Sequence, residues 1–529
     1  MMKLSILKNE NDGFILPSLL SCMLALVIIT GAAVEIIDTN NILVGNNIKR
    51  QKAFNISEAG INYYLWHLSH NSLDYKDGQS TPATPDATLG YGPYVHNYID
   101  SNAINQGTFT LWIKPQGNGS TITKIRSIGM VKGSNITRTI EAQIGAPSFA
   151  SYAVLSDTAL WFGNTETATG PVNSNQGIRM DGASTTDVTS ANATYVPPYE
   201  LGGDGNSHPG VWCSTSVLTP VNCNTRPKVD WRYPVPSIDF NQVTSSLCTI
   251  KKTAFLASSS TSSLAGLTNA CTKVPNTRTE AYLPQRATNG RYSISKGYLI
   301  QLNTNGTYDL SYVNAENDTL ANYSSALTLQ SVATGIVIPS SGVIFAEDNV
   351  WVRTNPSYHG RVTIGAGRLA SSSVKAQIVI ADDMLYTTRN GSDAIGLIAE
   401  GSVTLAPYAP PTSGGFNFEV DAAVIAQTGS VLYPLYYRSN SNKCTRGWVD
   451  ANQQFTFYGS VGSRQSWTWT WLVGNNCGNA AHDPVNGYIS GVEHNNTQYD
   501  YNMLYAPPPS FPMTSSYNIL SWREVLTKP

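Results

Sequence analysis

Two acidic pairs, Glu347-Asp348 and Asp382-Asp383, are the residues of this chain best suited to acid–base work. Stacked turns of chain can bring carboxylates from different levels to the ~5–9.5 Å separation used in glycoside hydrolysis. Each pair also stands where an apolar run enters a turn, and a turn aspartate is explained by hydrogen bonds to the backbone. Calcium would call for a D-x-D-x-D-G loop closed by a glutamate, and none is present. The histidines, His67, His70, His96, His208, His359, His482 and His494, form neither H-E-x-x-H nor a cysteine–histidine cluster, and G-x-S-x-G and Walker loops are missing. The sequence therefore calls for no enzyme, no cofactor and no metal. Trp467, Trp469 and Trp471 alternate along one short run, which puts three indoles on one face of a strand. Such a row is a candidate recognition surface for a glycan or a protein, or equally a plug that closes the end of a coil.

Cysteine chemistry is the other resource. Of seven cysteines, Cys22 lies inside a long apolar run, leaving Cys213, Cys223, Cys248, Cys271, Cys444 and Cys477. An even number outside the apolar run suggests disulfides. Many connectivities are open, and neighbour pairing (213–223, 248–271, 444–477) closes the shortest loops. Free buried thiols are the alternative. No C-x-x-C spacing points to zinc or to a redox motif.

The elements that must position these groups begin with a helix. Phe14 to Val34 contains no charge, and at ~1.5 Å per residue the run reaches about 31 Å, enough to cross a bilayer. A secretory signal has a shorter apolar stretch and a small-x-small cleavage site after it. Pro17 costs no backbone bond if the helix starts at Phe14, because the first helical N–H groups have no intrahelical acceptor. An uncleaved signal anchor is the competing reading. Lys3 and Lys8 place the leader in the cytoplasm, although Lys49, Arg50 and Lys52 follow on the far side. The helix is expected to continue to His70 as an amphipathic stalk, with Ile37, Val44, Ile48, Ala59, Tyr63 and Trp66 at helical spacings. Within it Ala59-Gly60 would let another helix approach closely and Glu58 would meet a basic partner, or Gly60 simply loosens the helix end.

Gly13-Phe14, the apolar helix, and Ser57-Glu58-Ala59-Gly60 followed by Leu65 and Leu68 resemble the N-terminal domain of PilX-type minor pilins of type IV pili. The resemblance covers about 60 residues. It implies cutting after Gly13 by a prepilin peptidase, Phe14 as the first mature residue, retention in the inner membrane by the helix, and partnership with other pilin subunits and the pilus assembly machinery. Many type IV pilins carry glutamate at the fifth mature position, where this chain has Ser18, so a minor or tip position is implied rather than the filament body.

Composition fits an exported β-rich protein. Only 13% of the 529 residues are charged, against a usual ~25%, and 33 basic against 35 acidic residues give no global field for nucleic acid or an anionic surface. We read residues 1–13 as leader, 14–70 as transmembrane and stalk helix, and 71–147 as a pilin-like β headpiece. Residues 71–106 form its loop region, and strands run through Thr108–Ile113, Thr121–Ile125, Ile128–Val131 and Thr137–Ala142 around an Asn118-Gly119 turn. Residues 148–330 read as an elaborated β region holding four of the cysteines. From 331 to 529, short apolar strands return roughly every 16–21 residues, the rhythm of a right-handed parallel β-helix-like solenoid, with a β-sandwich as competitor. The Pro-rich tail Tyr505–Pro512 is expected to strap back over that domain.

The series SGVIFAEDNVWV, HGRVTIGAG, IVIADDMLY, AIGLIAEGSVTL, VDAAVIAQTGS and FTFYGSV, ending in ILSW, with Trp161-Phe162-Gly163 at its front, resembles an uncharacterised C-terminal domain that accompanies PilX-type N-termini in bacterial surface proteins. The fold class is thus mainly β with one long N-terminal helix. The expected function is pilus assembly, adhesion or surface contact by a membrane-anchored, extracytoplasmic protein. A membrane-anchored carbohydrate-active β-helix enzyme and a static envelope protein are the alternatives.

Overall fold

Ile15–His70 forms a single helix, α1, in the computed structural model, which describes residues 15–525 apart from 71–73, 80, 82, 117–119, 165, 215–229, 257–270, 272–276, 287–296, 318–325, 371–373, 410–414, 438–439, 485 and 515–516. Its two halves differ in surroundings. Every side chain from Leu16 to Val44 is exposed, whereas Ala53, Ile56, Ser57, Gly60, Ile61, Tyr64 and Leu68 are buried at spacings of three and four. The stripe expected from the sequence is corrected by this: Ile37, Val44, Ile48 and Trp66 are exposed. The buried stripe alternates small residues with large ones, and the small ones let the helix settle onto a sheet.

The chain forms two compact units, residues 1–115, 123–144 and 519–529 in the first and 116–122 and 145–518 in the second. In the first, strands β1 (Tyr91–Ile99), β2 (Asn105–Pro115), β3 (Thr123–Val131) and β4 (Thr137–Gly145) pair antiparallel in that order, and the strand Asn518–Val525 lies beside β4. Phe109, Leu111 and Ile113 of β2 and Ile125 of β3 point to the core, as the alternation in sequence requires. Two expected strands are one, since β3 runs unbroken from Thr123. The expected loop region also holds β1, an edge strand whose Gly92-Pro93 pair reads as a turn in sequence. Asn118 and Gly119 lie outside the described residues.

Glycine decides how close helix and sheet come. A Cβ at Gly129 would stand 2.2 Å from Ala53 O, and one at Gly60 would stand 2.3 Å from Ser127 Oγ. In this contact Ser57 Oγ donates to Ser127 O (2.7 Å) and accepts from Ile140 N (3.2 Å). Gly60 thus packs against the protein's own sheet, while Glu58 is exposed and Ala59 half-buried.

In the second unit the chain from Val343 to Thr468 alternates between two sheets, pairing in parallel within each; the second sheet is extended by the strands Gly297–Asn303, Thr307–Glu316 and Leu327–Val337, each antiparallel to the next. One receives Val343–Ala346, Arg361–Ala366, Ala394–Ala399, Phe416–Ala426 and Gln453–Ser463. The other receives Asn349–Asn355, Ile378–Ile380, Val403–Leu405, Val431–Leu432 and Trp467–Thr468. Each level is buried by the next, so the strands read as short continuous apolar runs, all buried in Ala394–Ala399. The first sheet continues past Gln453–Ser463 into a much earlier part of the chain. Val461, Gly462 and Ser463 pair with Val154, Leu155 and Ser156, and Val172–Ser174 and Val188–Ser190 follow in parallel. A second helix, α2 (Asn241–Leu256), lies within the expected β region and buries Val243, Leu247, Ile250, Lys251 and Ala254 at helical spacing on one face.

The Pro-rich tail straps the first sheet: Arg361 Nη2 donates to Ala506 O and Pro507 O (2.7 Å each), and Thr363 Oγ1 to Pro509 O (2.5 Å).

Candidate functional site

The second unit holds a recess of about 950 Å³. One wall comes from the strand Leu160–Phe162 with the residues after it, and from Arg179 and Asp181 at the next level. The other comes from Trp467, Thr470, Leu472, Ile489 and the segment Asn495–Thr497. Residues some three hundred apart in sequence meet here because Gln453–Ser463 pairs with Val154–Ser156.

Trp161 is held from two directions. Its Nε1 donates to Asp181 Oδ2 (3.0 Å), and the Arg179 guanidinium lies 4.6 Å from the ring centroid. Arg179 is itself engaged, by Asp181 Oδ2 at 2.7 Å and by Gly202 O at 2.7 Å, and it and Asp181 are buried. Glu166 is exposed on the wall of the recess, and its carboxylate accepts from the Gly163 N–H (2.6 Å). Asp204 is held below the usual range by its hydrogen bond to His208 Nε2, and His208 stacks on Trp212 at 3.6 Å.

The acidic pairs singled out in the sequence lie elsewhere and are tied into the packing. Glu347 is 1% exposed, pairs with Lys251 of α2 and accepts from Tyr282 OH (3.1 Å); burial raises its carboxyl. Asp348, also 1% exposed, pairs with Arg368 and accepts from Arg286 N (3.2 Å). Asp382 Oδ1 accepts from Asp383 N (3.0 Å), and Asp383 Oδ1 accepts from Glu419 N (2.8 Å), which ties one level to the next. Burial raises Asp382, and burial with the neighbouring carboxylates Asp382, Glu419 and Asp421 pushes Asp383 up to about 6.

The three tryptophans do not form one open face. Trp469 is 3% exposed and packs on Phe455 and Phe457, Trp471 Nε1 donates to Tyr433 O (2.8 Å), and Trp467 packs on Phe162 and lines the recess. A break in the strand after Thr468 turns the row, which simple alternation along one strand does not show.

Cys248–Cys271 and Cys444–Cys477 are disulfides. Cys213 is half-buried, and Cys223 lies outside the described residues, as do Gly13 and Phe14. Cys22 is an exposed free thiol on α1. Among the described residues no group of histidine, cysteine, aspartate and glutamate is arranged to hold a metal ion. Nothing in the sequence points to the recess: Trp161-Phe162-Gly163 figures there only in a resemblance, and no local pattern shows which distant segment faces it.

No family model matches the chain, and no curated protein matches it. Among solved structures, the competence-associated pilin ComZ from Thermus thermophilus is similar at 13% identity over 90% of this chain and 98% of that one, with a TM-score of 0.27, a likeness too loose to carry an argument.

Proposed function

We propose that this chain is a pilin-like surface protein, held in a membrane by the front of α1 and associated with a type IV pilus as a PilX-like minor subunit. Its second unit, the coil read as right-handed on the general rule for parallel crossovers, then serves assembly, adhesion or surface contact outside the cell. The supporting observation is the division of α1. Residues 16–34 present an exposed, uncharged and mostly apolar surface, with a most apolar window of mean hydropathy 2.3, and the rear half of the same helix packs on an antiparallel sheet. Exposed apolar surface on that scale marks a lipid or protein partner. A helix that spans lipid in one half and carries a folded head on the other suits a subunit stored in the membrane before assembly. The partners in this reading are a prepilin peptidase, other pilin subunits and the assembly machinery.

N-terminal sequencing of protein from sheared surface filaments tests it. Phe14 is the expected first residue, and Gly13→Trp is expected to leave the leader uncut and remove the protein from that fraction. Recovery of Met1 from cells that possess the peptidase would sink the reading.

A further inference from the structure

We propose that the recess beside Trp161 binds a neutral oligosaccharide, which names a ligand class for the surface-contact role and rests on that reading only for its biological setting. The geometry of the recess carries the inference. Trp161 is a fixed plate: its indole N–H is spent on Asp181 and its ring is held by Arg179, so little side-chain freedom is lost when a sugar stacks on it. Thr167 and Asn496, both exposed on the walls, offer a hydroxyl and an amide whose donors and acceptors match the hydroxyls of a sugar ring. Leu472 and Trp467 give apolar surface for its C–H faces. The volume of about 950 Å³ falls within the roughly 300–1,000 Å³ used by bound small molecules.

Charge selects within the class. Among the described lining residues Arg179 is the sole cation, and Asp181 and Gly202 O already occupy it, whereas Glu166, Asp204 and Glu493 are acidic. Phosphates, uronates and other acidic glycans would meet an excess of acidic over basic side chains there, and a neutral chain would find hydrogen-bond acceptors in them.

The experiment titrates the full chain in detergent micelles with maltotetraose, cellotetraose or tetra-N-acetylchitotetraose, read by tryptophan fluorescence and calorimetry, with tetragalacturonate and spermidine in parallel. At least one neutral tetrasaccharide should saturate, and tetragalacturonate should not bind. Trp161→Ala should weaken binding about tenfold or more. Thr167→Trp, at an exposed position on the recess wall, should abolish binding by filling the space; it carries the test if Trp161→Ala fails to fold. Three results each overturn the proposal: no neutral tetrasaccharide binding at about 10 mM, affinity within about twofold of wild type in both variants, or binding of spermidine alone. The N-terminal residue and membrane retention of the Thr167→Trp protein are measured on the same preparation. Loss of sugar binding with Phe14 still at the start separates failure at the recess from failure of the anchoring reading.

Discussion

Lys251 and Glu347 meet with almost no solvent around them, and Asp383 sits half-buried among Asp382, Glu419 and Asp421. Acidic residues that looked suited to chemistry thus hold successive levels of chain together. Sequence reading could name them and could weigh turn chemistry against catalysis, but their partners lie on other levels, at distances in sequence that no spacing rule spans. The recess was less legible still, because its two walls come from opposite ends of the unit. Asp383 allows a direct check. Its carboxyl is raised from 3.8 to about 6, so the folded state holds the proton more tightly than the unfolded chain, and stability falls as pH rises through that window and levels above it. Asp383→Asn keeps an oxygen for the Glu419 N–H and removes the charge. Relative to wild type the variant should gain about 1–3 kcal/mol between pH 4 and pH 7 in denaturant titrations, the gain growing with pH. A difference that is flat over this range would show that burial does not disfavour the charge.

Single elements were read more reliably than the contacts between them. The long helix, the alternation in β2 and the short buried strands after Val343 follow from periodicity alone. The packing stripe of α1 did not, because several stripes of a largely apolar helix satisfy the same spacing and only the sheet chooses among them. What marks the chosen face is the series of small residues Ala53, Ser57 and Gly60, answered by Gly129 on β3. Gly129→Val should therefore force the helix away from the sheet. With Cβ only 2.2 Å from Ala53 O, the cost should reach or exceed about 1–3 kcal/mol, read as a lower melting temperature of the first unit. Unchanged melting would mean that the close approach is not native.

On the scale of the whole molecule, chain order and spatial order disagree. A change of rhythm divides the sequence at residue 331, yet strands from 154 onward join the same parallel sheet beside Gln453–Ser463. Their two- and three-residue lengths give no periodicity to detect. The first unit likewise recruits Asn518–Val525, where Trp522 meets Phe54 (ring centroids 6.0 Å) and Arg523 pairs with Glu141 (3.1 Å). Ending the chain at Tyr517 should uncover the edge of β4, and limited proteolysis should then cut the first unit first and spare the second. Equal resistance of both proteins would show that the strand adds nothing.

That returning strand also sets a schedule. β4 leaves the ribosome hundreds of residues before the strand that completes its edge, so an unfinished polypeptide carries the exposed apolar front of α1 beside a sheet with an open edge. Partial translation products would be open to quality-control proteases, and only molecules read through Val525 complete the sheet.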